Sequence, residues 1–147
     1  LIAIGDEAAS FDLNLLANQL REQISKLPPD QPQLAKQVLT PQPWPPPAAQ
    51  PGVQAAVMTV LLVVRGHENP HTHPNADLIF AVLEGSGWLQ LTPDQNAYTI
   101  PLAPGNTVVV PKGTCHAFHN TSDTDSVLLA TFSPADPSHK DGCAPTS

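Results

Sequence analysis

Gly105-Asn-Thr-Val-Val-Val-Pro111-Lys-Gly113-Thr-Cys-His116-Ala-Phe-His-Asn120 decides how the rest of the chain is read. A β-branched run leads into a turn signal. Pro111 fixes the entry angle and Gly113 permits a positive φ. A second extended run follows, and alternation puts His116, Phe118 and Asn120 on one face and Cys115, Ala117 and His119 on the other. A companion stretch lies upstream: Pro70-His71-Thr-His73-Pro74-Asn75-Ala-Asp77. Residues i and i+2 of a strand share a face, so His71 and His73 enter the same space. Pro74 and Asn75 suggest a short turn before Asp77. Two imidazoles and a carboxylate on one side of a metal ion leave its other side open to oxygen, water or substrate.

Around these stretches the chain reads as short strands. Residues 57–64 form a continuous β-branched run, as in a strand buried on both faces. Further strands are expected over 78–83, 87–91, 97–102, 107–110, 116–120 and 126–132. Turn signals separate them, among them Gly85, Pro93-Asp94 and Pro104-Gly105. Strands spaced about ten residues apart predict an all-β sandwich or barrel. The polar stretch after Ser133 reads as a loose tail.

The N-terminal third differs. Leu13, Leu16, Leu20, Ile24 and Leu27 recur at helical steps, with Ser10 as the expected N-cap and Asp12 in the first turn. Pro28 and Pro29 end that helix. It is expected to lie over the barrel or its open end. Residues 28–52 read as a proline-rich connection. Within it, residues 41–47 form an extended strap, with Trp44 anchored against the barrel. The expected organisation is a helix and proline-rich arm over 1–52, a barrel over 53–133 and a tail over 134–147.

Composition narrows the partners. The 147 residues carry a net charge of −7, and the six Lys and Arg are scattered. Nucleic acid and anionic membrane surfaces both call for clustered positive charge, so neither is expected. No run is long enough to span a bilayer. The two cysteines, Cys115 and Cys143, are too few for a disulfide scaffold; a single bridge is possible, but nothing in the spacing requires it, and both are read as reduced. With no visible leader, the expected location is the cytoplasm. The apolar 57–64 strand, if exposed, would invite a second copy, so a homodimer is expected.

The two histidine stretches resemble the paired motifs of the cupin superfamily. The second motif of that family reads G, five residues, P, one, G, two, H, three, N. It is matched in full by Gly105, Pro111, Gly113, His116 and Asn120. The first reads G, five, HxH, three or four, E, six, G, and the match is partial. Gly66 stands one residue closer to His71 than the pattern asks. Asp77 replaces the Glu, with seven residues and not six before Gly85. Counted back from Gly85, the acid position falls on Leu78. The resemblance covers residues 53–133. It implies a double-stranded β-helix (jelly-roll) barrel holding a divalent transition metal (Fe, Mn, Ni, Cu or Zn) through His71, His73, Asp77 and His116. Asp77 could ligate directly, through water, or not at all; without it a three-His site remains, which suits zinc, copper or iron.

Three imidazoles gathered inside a barrel carry a polar cost with little structural return, which favours metal binding. His67, His119 and His139 are assigned no role. Phe118, Ile79, Leu83 and Trp88 are the expected pocket residues, consistent with an aromatic or otherwise hydrophobic small substrate. No second acid is seen in either motif and Tyr98 is the lone tyrosine, which leans away from isomerase or epimerase chemistry. The expected function is a metal-dependent, dioxygenase-type oxidoreductase acting on a small organic molecule. The alternatives are a non-catalytic small-molecule or metal-binding module, and an interaction role for the helix and strap.

Overall fold

The computed structural model describes residues 12–39, 57–92 and 98–143. After helix α1 (Leu13–Ser25), the strands are β1 (Leu34–Val38), β2 (Met58–Val64), β3 (His71–Thr72), β4 (Asp77–Glu84), β5 (Gly87–Thr92), β6 (Tyr98–Leu102), β7 (Thr107–Val110), β8 (Cys115–Asn120), β9 (Ser126–Ser133) and β10 (Lys140–Asp141). They form two five-stranded sheets of order β1-β2-β9-β4-β7 and β10-β3-β8-β5-β6. Every pairing of these strands is antiparallel. This is the jelly-roll barrel that the alternating short runs imply. Among the described residues no helix is long and apolar enough to cross a membrane.

Alternation builds the core. Strand β4 points Leu78, Phe80 and Val82 inward, and β5 points Gly87, Leu89 and Leu91 inward. Between the sheets these side chains meet Val60, Leu62, Val64 and Phe118. The other face of β2 presents Leu61 and Val63, which join Ala17, Leu20 and Ile24 of α1 in a second cluster. A two-faced burial explains the unbroken apolar run of β2. Each fully buried Leu, Ile or Val contributes about 1.5–3 kcal/mol relative to exposure. Both edges of β2 are also taken, by β1 and β9. The strand therefore offers no free edge to a second copy, and its hydrophobicity is accounted for within one chain.

Some local expectations change. Asp12, not Ser10, caps the helix, accepting a hydrogen bond from the Leu15 N–H at 3.0 Å. A residue just outside the first turn that can accept from N3 fills that role as well as serine does. Leu34–Val38 lies within the stretch read as a connection, yet it pairs along its whole length with Val60–Val64 of β2. The tail is also engaged: Lys140 and Asp141 pair with Thr72 and His71. The strap over 41–47, with Trp44, and Ser10 lie outside the described residues.

Cys115 and Cys143 form a disulfide across 28 residues, with their Cα atoms 6.0 Å apart. The reduced reading is thereby corrected. It rested on cysteine number and spacing, neither of which says that the fold brings β8 and the segment after β10 together. A bridge of this kind typically contributes about 2–4 kcal/mol by restricting the unfolded chain.

Helix α1 is tied to the barrel by charge as well. The Arg21 Nε–H is shared between the two carboxylate oxygens of Asp125, at 3.0 and 3.1 Å, and Nη2 donates to Asp125 and to Glu84, each at 3.0 Å. Asp125 is buried, so the pairing meets a need that solvent does not.

Candidate metal centre

His71 and His116 stand opposite each other in the β3–β8 ladder. Their ring centroids are 4.3 Å apart, and those of His73 and His116 are 5.2 Å apart. One ligand atom from each of His71, His73 and His116 lies within 4.8 Å of the others. The turn that delivers His116 is the one the sequence signals: Gly113 has φ +80° and donates its N–H to the His73 carbonyl oxygen at 2.9 Å. That bond joins the two histidine stretches directly.

The rings are held in one tautomer. The Nδ1 of His71 lies 2.7 Å from the Asn69 carbonyl oxygen, that of His73 3.2 Å from Ser138, and that of His116 2.9 Å from Thr114. A carbonyl can only accept, so each Nδ1 carries the proton and donates it. With the proton on Nδ1, the nitrogen left to bind a metal is Nε2, which is the arrangement metal-bound histidines adopt. His116 is 1% exposed, and its Nε2 is buried without a hydrogen-bond partner. Burial, then the nearby His71, lowers His116 to about 3 and His73 to about 4. Both are neutral at pH 7. An orphaned buried nitrogen on His116, beside the neutral imidazole of His73 and within reach of His71, fits a divalent metal ion.

Asp77 stands apart from this group. It is exposed, and its Oδ1 accepts from the Lys112 N–H at 2.9 Å. Its neighbour Leu78 takes the inward position, where counting back from Gly85 places the family's acid. One residue of register decides this, because adjacent strand residues face opposite ways.

His71 and His73 line a cavity of about 420 Å³, while His116 is buried beside them and is not part of its wall. Its other walls include Leu34, Val38, Met58, Val60, Leu62 and Phe132. The four expected pocket residues do not line it. Ile79 and Leu83 lie on the outward register of β4, Leu83 packing with the helix cluster. Trp88 faces out from β5, stacked on His119 at 3.8 Å. Phe118 points inward but is wholly enclosed in the core. The real walls come from β1, β2 and the ends of β4 and β9. The sequence hid them because β1 had been read as a connection.

Two polar residues emerge that sequence reasoning passed over. Glu68 is buried, lines the cavity and accepts from the Phe118 N–H at 3.0 Å. Its position follows from an irregular ladder. The pairs His67–His119 and His71–His116 leave four residue steps on one side against three on the other. Such a bulge re-aims side chains. Burial pushes the Glu68 carboxyl above the ordinary range, opposed by His71 and the Phe118 N–H. The statement that no second acid accompanies the motifs is therefore corrected. The signal was Glu68 itself, between Gly66 and His71. His139 also lines the cavity, 5.5 Å from His71 between ring centroids and 3.4 Å from Asp141.

A jelly-roll barrel with a three-histidine cluster, two of whose members line its cavity, defines the class of protein. The family model described as Cupin matches residues 48–145, and the chain belongs to that family. An uncharacterised protein of Aquifex aeolicus (strain VF5) is 41% identical over 75 residues, 51% of this chain and 58% of that protein. Germin-like protein subfamily 1 member 4 of Arabidopsis thaliana is 33% identical over 76 residues, 49% of this chain and 34% of that protein. The matched region thus spans from about a third to somewhat over half of these relatives. A solved structure of oxalate oxidase with the substrate analogue glycolate superposes with a TM-score of 0.60 at 23% identity, over 74% of this chain and 54% of that one. That likeness concerns the fold.

Proposed function

We propose that this chain is a metal-dependent oxidoreductase of the dioxygenase type, acting on a small organic molecule. The observation that carries the reading is the convergence of His71, His73 and His116, each with Nδ1 donating to a carbonyl, two of them lining a mostly apolar cavity. These three residues would hold the metal. An ion of Fe, Mn, Ni, Cu or Zn bound there supplies Lewis acidity and, where it is redox-active, a path for electrons.

The chain's own residues do the rest. The carbonyls of Asn69, Ser138 and Thr114 orient the rings. Glu68 is a carboxyl whose burial favours the protonated form, so it is placed to hold or exchange a proton with a molecule in the cavity.

A non-catalytic ligand-binding module is the second reading. It is favoured by Leu78 standing inward where the family pattern has an acid. Oxygen consumption and product formation, measured with each metal in turn on the reconstituted protein, separate the two. Turnover with any of them supports the enzyme. Ligand retention without oxygen uptake or product across all five supports the module.

A disulfide persists where surroundings are oxidising. We infer from Cys115–Cys143 that the protein works in such a compartment, in place of the cytoplasm expected from the sequence. Alkylation of thiols in protein taken directly from its source, showing two free cysteines, would contradict that.

A further inference from the structure

The cavity joins two kinds of wall. His71 and His73, with Glu68, Asn69, His139 and Asp141, supply its polar groups. Val38, Met58, Val60 and Leu62 supply an aliphatic surface, and Phe132 packs its ring against His73, centroids 4.8 Å apart. We infer that the molecule taken here has an apolar body and a hydroxyl or carbonyl head, and is not a small dicarboxylate such as oxalate. This rests on reading the three-histidine cluster as the reactive centre.

Size and lining support the apolar body. About 420 Å³ falls in the range of sites that enclose organic ligands, which are mostly apolar with a few polar groups to set orientation. A molecule as small as oxalate would leave most of that wall uncovered.

Charge supports the uncharged head. Among the described lining residues the acids are Glu68 and Asp141, and no arginine is present to grip a carboxylate in bidentate fashion. Lys36 is the one lysine of the lining; its side chain is exposed, and its charge already acts on the Glu68 carboxyl. A metal could take one carboxylate of a dianion. The other would then face Glu68 or Asp141, or be pressed against aliphatic wall, and either is costly. A hydroxyl or carbonyl meets the histidines without that conflict. Glu68 and His139 line the same cavity and can hydrogen-bond it.

The test is calorimetric titration of the full chain with naphthol and with oxalate. It is run on zinc-loaded and metal-free protein, with zinc content measured in parallel. Val38 lies on the edge strand and is 45% exposed, so Val38→Asp charges the wall while sparing the core. Ala130→Leu narrows the cavity from β9. Naphthol is expected to bind zinc-loaded protein at least about tenfold more tightly than oxalate, and each substitution to weaken it about tenfold. Zinc stoichiometry should stay unchanged in both variants. Tighter binding of oxalate, or naphthol binding indifferent to Val38→Asp, overturns the proposal. Failure of zinc to bind sinks the metal reading alone. Naphthol binding to metal-free protein that Val38→Asp weakens would still support the apolar body.

Discussion

His73 and Ser138 are 65 residues apart in sequence, yet the Nδ1–H of His73 donates to the Ser138 carbonyl oxygen at 3.2 Å. The C-terminal segment thus orients a residue of the metal centre. Three further ties hold that segment in place. Asn75 donates to the Ser138 hydroxyl at 3.3 Å, Gly142 donates to the Pro70 carbonyl at 3.2 Å, and Cys143 is bridged to Cys115, the residue before His116. Loss of an outer partner of a metal-bound histidine typically costs 10–100-fold in affinity. Cys143→Ser is expected to weaken metal binding by about tenfold, read by competition with a coloured chelator. An unchanged affinity would mean the tail orients His73 without its covalent tie.

Asp77 and Leu78 face opposite ways, and the acid points to Lys112. Asp77→Asn keeps an oxygen that can accept from the Lys112 N–H while removing the charge. Metal content after reconstitution is expected to equal that of the wild type. Loss of the metal in Asp77→Asn would restore the acid to the ligand set.

Acid should destabilise the metal-free protein in a particular way. In the unfolded chain His73 and His116 take up protons near the ordinary value of 6.5. In the folded chain burial delays this to about 4 and about 3. Between those values the unfolded state binds more protons, so stability falls as pH falls from about 6.5 towards 3. Above that window the two groups are neutral in both states and contribute no slope. Urea midpoints measured across the window should decline, and the decline should be shallower in His116→Leu. Equal slopes in the two proteins would show that His116 is not held neutral by the fold.

The barrel was legible because its inward and outward positions alternate so cleanly. The 107–110 strand has the expected bounds, and the 57–64 run was rightly read as buried on both faces. The His71, His73 and His116 cluster was legible because motif spacing fixes which turns meet. What stayed hidden depends on pairing between distant segments. Leu34–Val38 has one buried residue, Ala35, and no alternation strong enough to mark it as an edge strand. Its partner β2 makes it a strand. Ile79 was chosen over Phe80 because nothing in a β-branched run states which register faces in. Glu68 turns inward through a bulge set by β8, and the disulfide follows from β10 lying beside β3.

The central claim is that His71, His73 and His116 hold one metal ion. Elemental analysis of the purified protein, beside a His116→Ala variant, tests it most directly. The account predicts near-stoichiometric transition metal in the wild-type protein, as purified or after reconstitution, and its loss in the variant. Metal retained in full by folded His116→Ala, or wild-type protein that binds none after reconstitution, would contradict it.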